Sequence, residues 1–370
     1  MNAALKLHEQ GQSLWLDNIT RGIVTDGTLR RYIDELAVTG LTSNPTIFQK
    51  AIGNADFYDQ AIRSKASQGK SAEALFFELA LEDLTQAADM FRAVHERTHG
   101  VDGWVSLEVS PLLADDAAAT IRAAVELHER AARPNLFIKI PGNAAGLVAI
   151  EESLFKGVPI NVTLLFSREQ YLATADAYMR AIERRLAAGL DPKVASVASI
   201  FVSRWDVAVK DKVAPELQNR LGIAIAQRAY LAYRDSLASP RWRKLAGAGA
   251  LPQRLLWAST GTKDPAASDT LYIEALAAPD TINTMPENTL LAFAEHGEVK
   301  NMMSADVAMS GEWEAMLDKF VRSGINEMTL AEQLQREGAQ AFDQSWKQLL
   351  ASIAAKSERL QGAVGAKAQS

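Results

Sequence analysis

Short apolar segments alternate with helix-like segments eight times along the chain, and this alternation constrains the fold more than any other feature of the sequence. Each unit combines a strand, a polar turn and an alanine-rich helix, an order that produces right-handed βαβ units and a parallel sheet. A count of eight favours closure into a barrel, and no glycine-rich phosphate turn after the first strand favours an open sheet. We therefore predict an α/β protein with a (β/α)8 TIM barrel. The predicted strands are residues 13–18, 40–45, 103–109, 135–141, 159–166, 194–203, 254–260 and 280–286.

Polar residues with a preference for helix N-termini precede several of the helical segments. A capping box, in which two side chains satisfy free amide groups of the first helical turn, is predicted for Ser167 with Gln170 and for Thr329 with Glu332. The remaining predicted caps are Asp26, for a helix that stops at Gly40, Ser71, and Asn143, for a helix that stops near Gly157.

The chain contains no linker and no internal repeat that would divide it. Two intervals, 46–102 and 204–253, are longer than one helix and are expected to hold extra helices. We predict one barrel domain over residues 1–356, including its N-terminal and C-terminal helices, and a flexible tail over residues 357–370.

Composition excludes several classes of protein. The absence of cysteine excludes a disulfide scaffold, a thiolate metal site and a cysteine nucleophile. A net charge of −6 without a long basic run argues against nucleic acid and anionic membranes as partners. The sequence shows neither an apolar stretch of about 20 residues nor a signal-peptide core. We expect a cytoplasmic protein.

Polar side chains occur within or at the ends of six predicted strands, where a barrel is normally apolar. A lysine in mid-strand is the most telling, because a buried ammonium group is costly unless it is paired or neutralised. Since parallel strands of a barrel end at one mouth, these groups are expected to converge there. They are Asp17, Asn44, Glu108, Lys139, Asn161, Thr163 and Ser199.

Together these groups could perform an aldol reaction through an amine. Burial of Lys139 by Phe137 and Ile140 would favour the uncharged amine, which attacks a ketone to form an iminium ion. Asp17 could take the proton of the C4 hydroxyl as the C3–C4 bond breaks, and Glu108 could move protons through a water molecule held by Thr163. This chemistry requires no metal and no organic cofactor.

The remaining polar groups could bind a phosphorylated sugar. Asn44, Asn161 and Ser199 could form hydrogen bonds with hydroxyl groups. Arg204 follows the sixth strand and Lys263 follows the seventh, so both could lie near the mouth and bind a phosphate group.

Five segments resemble, in order, signature segments of the transaldolases, and the resemblance extends from about residue 12 to 350. It implies a Schiff base on Lys139, acid/base roles for Asp17 and Glu108, and a catalytic water on Thr163. It also implies substrate binding by Asn44, Asn161, Ser199 and Arg204. The segments are GLTSNPTIF (40–48), VSLEVSP (105–111), LFIKIPG (136–142), INVTLLFS (160–167) and ASIFVSRWD (198–206).

The implied reaction belongs to the pentose phosphate pathway. It converts sedoheptulose 7-phosphate and glyceraldehyde 3-phosphate into erythrose 4-phosphate and fructose 6-phosphate. These sugar phosphates are the expected partners, and we expect the protein to be a monomer or a homodimer. The length resembles that of the larger bacterial transaldolases. Many transaldolases have a second phosphate-binding arginine after strand seven, whereas this chain offers Lys263, which lacks the bidentate geometry.

Three alternatives are open. The related fructose-6-phosphate aldolases tend to carry Gln and Tyr where this chain has Glu108 and Phe201. The sequence His95-Glu96-Arg97-Thr98-His99 matches the H-E-x-x-H pattern of zinc metallohydrolases, although Gly100 would end a helix directly after it. A barrel that binds ligands without catalysis is the third alternative, which the set of Lys, Glu and Asp argues against.

Overall fold

Eight parallel strands close into a barrel in sequence order in the computed structural model, which describes residues 2–54, 56–66, 68–300, 302–303 and 311–367. Each strand pairs with the next, and β1 pairs with β8, so the sheet has no free edge. The predicted TIM barrel is confirmed. The strands are β1 Ser13–Leu16, β2 Val38–Leu41, β3 Trp104–Glu108, β4 Leu136–Pro141, β5 Ile160–Leu165, β6 Ser196–Phe201, β7 Gln253–Ala258 and β8 Ile282–Met285.

Helices surround the barrel, and the extra helices expected in the two long intervals are present there. Among the described residues the α-helices are α1 Ala3–Glu9, α2 Arg21–Thr25, α3 Thr28–Glu35, α4 Pro45–Asn54, α5 Asp59–Ala66, α6 Ala72–Arg97, α7 Ala117–Ala131, α8 Ala144–Phe155, α9 Arg168–Ala187, α10 Ser203–Val209, α11 Leu221–Ala238, α12 Pro240–Gly247, α13 Leu271–Ala275, α14 Glu287–His296, α15 Glu312–Arg322 and α16 Glu327–Lys367. No helix in the described part of the chain is long and apolar enough to span a membrane.

Two core layers follow from the alternation of side chains along each strand. One face of the strands packs against the helices; in β3 it carries Val105 and Leu107. The other face fills the barrel interior, where the rings of Trp104 and Phe137 stack with their centroids 4.0 Å apart. These rings form an apolar layer inside the barrel. The polar residues Glu108 and Lys139 follow on the same strand faces, towards the C-terminal mouth.

The predicted helix caps are partly confirmed. Ser71, Asn143 and Ser167 accept hydrogen bonds from the amides of residues 74, 146 and 170. The predictions for Asp26 and Thr329 are wrong. Asp26 ends α2, and Gly27, whose backbone is left-handed (φ 88°), precedes α3. Asp26 still contributes, because its Oδ1 accepts a hydrogen bond from the Thr28 amide at 2.8 Å.

The ends of two helices differ from the prediction for local reasons. Helix α3 ends at Glu35 rather than at Gly40, because Val38–Leu41 pairs with β1 and β3 as β2. Helix α16 begins at Glu327, because Asn326 accepts the hydrogen bond from the Thr329 amide at 3.0 Å. The cap is therefore an asparagine three residues before the predicted one.

The C-terminal region contains one long helix. The backbone of α16 is helical to Lys367, and Leu360 is buried within the hydrophobic core. Trp346 on the same helix packs against the ring of Phe76, with centroids 4.9 Å apart. The division into one domain over residues 1–356 and a flexible tail over 357–370 stays a prediction, and residues 368–370 lie outside the described part of the chain.

Candidate active site

A cavity of about 330 Å³ opens at the C-terminal mouth of the barrel and collects most of the predicted site residues. This is the end of a parallel barrel at which the strands deliver polar side chains and the loops can enclose a ligand. Glu108 and Asn161 are the two predicted residues that do not line it. The predicted residues that do are Asp17, Asn44, Lys139, Thr163, Ser199, Arg204 and Lys263.

Lys139 projects from β4 into the barrel and is almost fully buried, at 5% exposure. Its Nζ donates a hydrogen bond to the Ser43 carbonyl oxygen at 2.9 Å and lies 3.5 Å from Glu108 Oε2. Phe137 lies on the same strand face, as predicted, but Ile140 belongs to the cluster that faces the helices. The prediction that Ile140 shields the amine is wrong, because neighbouring residues of a strand point to opposite faces.

Glu108 is the register partner of Lys139 on the adjacent strand and is 6% exposed. Burial raises the pKa of the Glu108 carboxyl, while the nearby Lys139 opposes the rise. Glu108 Oε2 has no hydrogen-bond partner among the described residues. A buried carboxyl with a raised pKa holds a proton more readily than a free carboxyl does, which is a property of groups that act as general acids.

Asp17 follows β1 directly, and its backbone amide donates a hydrogen bond to the Met285 carbonyl at 2.8 Å. Burial raises the pKa of the Asp17 carboxyl, and Lys139 is the largest of the opposing influences. The Thr42 hydroxyl donates a hydrogen bond to Asp17 Oδ1 at 2.8 Å and lies 2.7 Å from the Thr284 hydroxyl. Thr42 was not among the predicted site residues, although it lies two residues before Asn44.

Asn161 lies beneath the cavity. Its Nδ2 donates a hydrogen bond to Ser106 Oγ at 3.2 Å, and its Oδ1 accepts one from Ser199 Oγ at 2.8 Å. Asn161 is fully buried and does not line the cavity. It contacts Ser199, which does line the cavity. Direct binding of substrate by Asn161 stays a prediction, whereas its contact with Ser199 is evident.

Thr163 lines the cavity, and its buried hydroxyl has no hydrogen-bond partner among the described residues. A buried hydroxyl of this kind is a suitable ligand for a water molecule or a substrate oxygen. The next residue, Leu164, has left-handed backbone (φ 59°), and the pairing of β5 with β6 shifts between Val162 and Leu165. Such a bulge redirects side chains, and it moves Leu164 into the cluster that contains Phe137.

Asn44 occupies the loop between β2 and α4. Its Oδ1 accepts a hydrogen bond from the Ile47 amide at 3.0 Å, which caps α4. Its side-chain amide nitrogen has no hydrogen-bond partner among the described residues, so its two N–H donors are left at the cavity wall. Asn44 therefore holds the start of α4 and offers a hydrogen bond to a ligand.

Three cationic side chains line the mouth of the cavity: Arg204, Lys263 and Lys50. None of the three forms an ion pair with a carboxylate among the residues that the structure describes. Lys263 lies in the loop after β7, as predicted, and Lys50 on α4 was missed. Unpaired cations around a cavity attract an anionic ligand.

The H-E-x-x-H sequence does not form a metal site in the described structure. Helix α6 ends at Arg97, and His99 has left-handed backbone (φ 52°), so His95 and His99 do not share a helix face. His95 Nδ1 lies 3.1 Å from the Asp102 carbonyl oxygen. Across the described part of the chain, no three His, Cys, Asp or Glu side chains are placed to share a metal ion.

Comparison with known proteins finds similarity over nearly the whole chain. Residues 14–353 match the family described as Transaldolase/Fructose-6-phosphate aldolase. The chain is 43% identical over 353 residues to a transaldolase of Saccharopolyspora erythraea, covering 94% of this chain and 95% of that protein. It is 42% identical over 372 residues to transaldolase 2 of Streptomyces coelicolor, covering 97% and 99%. It is 39% identical over 374 residues to transaldolase 2 of a Nostoc species, covering 96% and 98%.

Proposed function

The chain belongs to the transaldolase and fructose-6-phosphate aldolase family, and on that basis we propose that it is a transaldolase with Lys139 as its Schiff-base residue. Its reaction transfers a dihydroxyacetone unit from sedoheptulose 7-phosphate to glyceraldehyde 3-phosphate in the pentose phosphate pathway. The observation that carries this proposal is the buried Lys139 amine, 3.5 Å from Glu108 Oε2, in a cavity that Asp17 also lines.

The first half of the reaction loads the lysine. Lys139 Nζ adds to the C2 carbonyl of the ketose to give a carbinolamine, which loses water to give an iminium ion. Glu108 protonates the departing hydroxyl in this scheme, which is supported by the position of its Oε2 beside Nζ and by the rise in its pKa on burial. Thr163, with its unpartnered hydroxyl, can hold the water molecule that carries protons between them.

The second half breaks and reforms one carbon–carbon bond. Asp17 accepts the proton of the C4 hydroxyl, the C3–C4 bond breaks, and the electron pair moves into the iminium to leave an enamine on Lys139. Erythrose 4-phosphate departs. The enamine attacks the aldehyde carbon of glyceraldehyde 3-phosphate, Asp17 returns the proton to the new hydroxyl, and water releases fructose 6-phosphate. The position of Asp17 is supported by the Thr42 hydrogen bond to its Oδ1.

Substrate binding is assigned by chemistry and position. Asn44 and Ser199 line the cavity and can form hydrogen bonds with sugar hydroxyls. Asn161 accepts a hydrogen bond from the Ser199 hydroxyl and so orients it. Arg204 and Lys263 line the same cavity, and their positive charges support the proposal that they bind the phosphate group. No step of this scheme calls for a metal or an organic cofactor. We further propose a cytoplasmic location and a monomer or homodimer.

Two residues favour transaldolase over the aldolase branch of the family. Glu108 is the register partner of Lys139, a position at which the aldolases tend to carry glutamine. Phe201 lines the cavity where those aldolases tend to have tyrosine, so the wall has no hydroxyl there to protonate the enamine. An enamine that is not protonated survives until an acceptor aldehyde arrives, which favours transfer over release of dihydroxyacetone.

A direct assay tests this function. The purified protein is incubated with fructose 6-phosphate, with or without erythrose 4-phosphate, and glyceraldehyde 3-phosphate is measured with a coupled dehydrogenase. We expect sustained turnover only when the acceptor is present. Equal rates in the two mixtures would identify an aldolase instead, and no turnover in either would reject both activities.

A further inference from the structure

The C-terminal helix α16 crosses the mouth of the barrel and contacts the rim of the cavity. Its Ser345 hydroxyl lies 2.8 Å from the hydroxyl of Thr46, which lines the cavity. Its Gln335 Nε2 donates hydrogen bonds to the carbonyl oxygens of Leu164 at 3.0 Å and Gly142 at 3.3 Å. These contacts bind the helix to α4, to the loop that follows β4 and to the end of β5.

Arg204 lies between the cavity and α16 with an unusual set of neighbours. No hydrogen bond or ion pair joins its guanidinium to any residue that the structure describes. The guanidinium carbon lies 5.2 Å from the ring centroid of Phe201 and 6.0 Å from that of Phe342 on α16. Aromatic faces orient a guanidinium without consuming its five donors, which leaves them for a bidentate contact with phosphate.

Gly338 on α16 provides the space that this arrangement needs. A Cβ atom at this position would lie 3.0 Å from Arg204 Nη1 and 2.9 Å from Leu164 Cδ2. A glycine inside a helix is unfavourable relative to alanine, so its presence in the middle of α16 calls for such a reason. Both crowded atoms are the ends of flexible side chains, so an added methyl group would displace them without preventing folding.

We propose that α16 is part of the phosphate-binding site, in which Phe342 and Gly338 are positioning residues that hold the Arg204 guanidinium at the distance from Lys139 that a sugar phosphate requires. The proposal rests on the transaldolase function and deepens it. In this proposal α16 contributes to selectivity for phosphorylated substrates, although it lies some 130 residues after Arg204 in the chain.

Two substitutions separate positioning from packing. Phe342→Leu keeps an apolar side chain but removes the aromatic face. Gly338→Ala adds a methyl group that displaces Arg204 Nη1. Phe342→Tyr retains the face and is expected to restore selectivity. Phe320→Leu on α15 removes a buried ring of the same core cluster away from Arg204, and Gly247→Ala on α12 adds a methyl group with no atom within 4 Å.

The measurement uses fructose 6-phosphate as donor and either erythrose 4-phosphate or unphosphorylated erythrose as acceptor, with glyceraldehyde 3-phosphate as the common product. In a reaction with a covalent intermediate, kcat/KM for the acceptor reports only on the steps in which the enamine reacts with the acceptor. We expect Phe342→Leu and Gly338→Ala each to lower the ratio of kcat/KM for the two acceptors by about tenfold. The inhibition constant of inorganic phosphate should rise in parallel.

The controls make each result decisive. Phe320→Leu and Gly247→Ala should keep the wild-type ratio, whatever their melting temperatures. If Phe342→Leu and Gly338→Ala also keep it, or lose both acceptors equally, α16 has no role in phosphate selectivity and the proposal is wrong. A wild-type protein without any transfer would instead reject the transaldolase function, so the two failures are distinguishable.

Discussion

The amine of Lys139 and the carboxyl of Glu108 are almost fully buried, and the Asp17 carboxyl is partly buried near them, which is a costly arrangement for a merely structural purpose. Burial raises the pKa of both carboxyls, so each holds its proton at a higher pH than a free side chain does. Groups that can accept and return a proton are the ones that an aldol transfer needs. The proposed catalytic roles would account for the cost of burying them.

Glu108→Gln tests the proton-transfer role at this scale. The amide keeps the shape of the side chain but cannot exchange protons, so we expect kcat for transfer to fall by about a hundredfold. Release of dihydroxyacetone should fall less, because this substitution mimics the aldolase relatives. The measurement is the ratio of transfer to release with fructose 6-phosphate.

The matched control is Glu96→Gln, which alters an exposed glutamate and removes the base of the H-E-x-x-H sequence. It should retain both rates. An unchanged ratio in Glu108→Gln would remove Glu108 from the proton-transfer steps.

A site residue could be predicted from the sequence where its side chain was of a type that is unusual within a strand. Lys139 and Glu108 stood out because ionisable groups are rare among apolar neighbours. Thr42 and Lys50 did not, because a threonine before a turn and a lysine on a helix are ordinary. The burial of Asn161 beneath Ser199 was also unpredictable, since strand alternation gives the face of a residue but not its depth.

At the scale of elements, α11 has an N-terminus whose cap comes from another helix. Asp206 on α10 accepts hydrogen bonds from the amides of Leu221 at 2.9 Å and Gly222 at 3.2 Å, and from Tyr272 Oη at 2.8 Å. Gly222 is required here, because a Cβ atom would lie 2.5 Å from the Val202 carbonyl oxygen. A cap that is distant in sequence cannot be found by inspecting the residues before a helix.

Asp206 predicts a pH dependence of stability. Burial raises its pKa to about 6 in the folded protein, from 3.8 as the ordinary value. The folded state thus binds the proton more tightly than the unfolded state does, and this difference stabilises the fold. The stabilisation is complete below pH 3.8 and is lost as the pH rises through about 6. At pH 7 the ionised, buried carboxylate should cost about 3 kcal/mol relative to a neutral group.

Asp206→Asn should remove that dependence while keeping an oxygen to cap α11. Urea denaturation between pH 4 and pH 8 is expected to show the variant gaining stability over the wild type as the pH rises through 6. Asp116→Asn, at the cap of α7 near solvent, is the control and should show no such gain. If the difference in the free energy of unfolding between the wild type and Asp206→Asn does not change across this pH range, the raised pKa of Asp206 is contradicted.

Local signals at this scale succeeded where the cap was adjacent to its helix, as for Ser71, Asn143 and Ser167. They failed for α3, because Gly27 takes the left-handed conformation that the turn needs and Asp26 lies one residue too early. The bulge at Leu164 was equally hidden, since nothing in its residue type favours left-handed backbone.

For the whole molecule, the closed barrel could be predicted from the number and order of strands, because eight successive βα units have few other ways to bury their apolar faces. The path of α16 could not. Its apolar residues indicate a helix packed on something, but not that the helix crosses the cavity and brings Phe342 to Arg204. Long-range packing of this kind depends on the complete surface on which a helix lies.

The account depends above all on a covalent bond between Lys139 and a ketose. Its most direct test is borohydride reduction of the protein in the presence of fructose 6-phosphate, followed by mass spectrometry of the peptides. We expect a reduced three-carbon adduct on Lys139 and none in Lys139→Met, which replaces the amine with an apolar chain of similar length. An adduct on a different lysine, or an adduct that persists in Lys139→Met, would contradict the account.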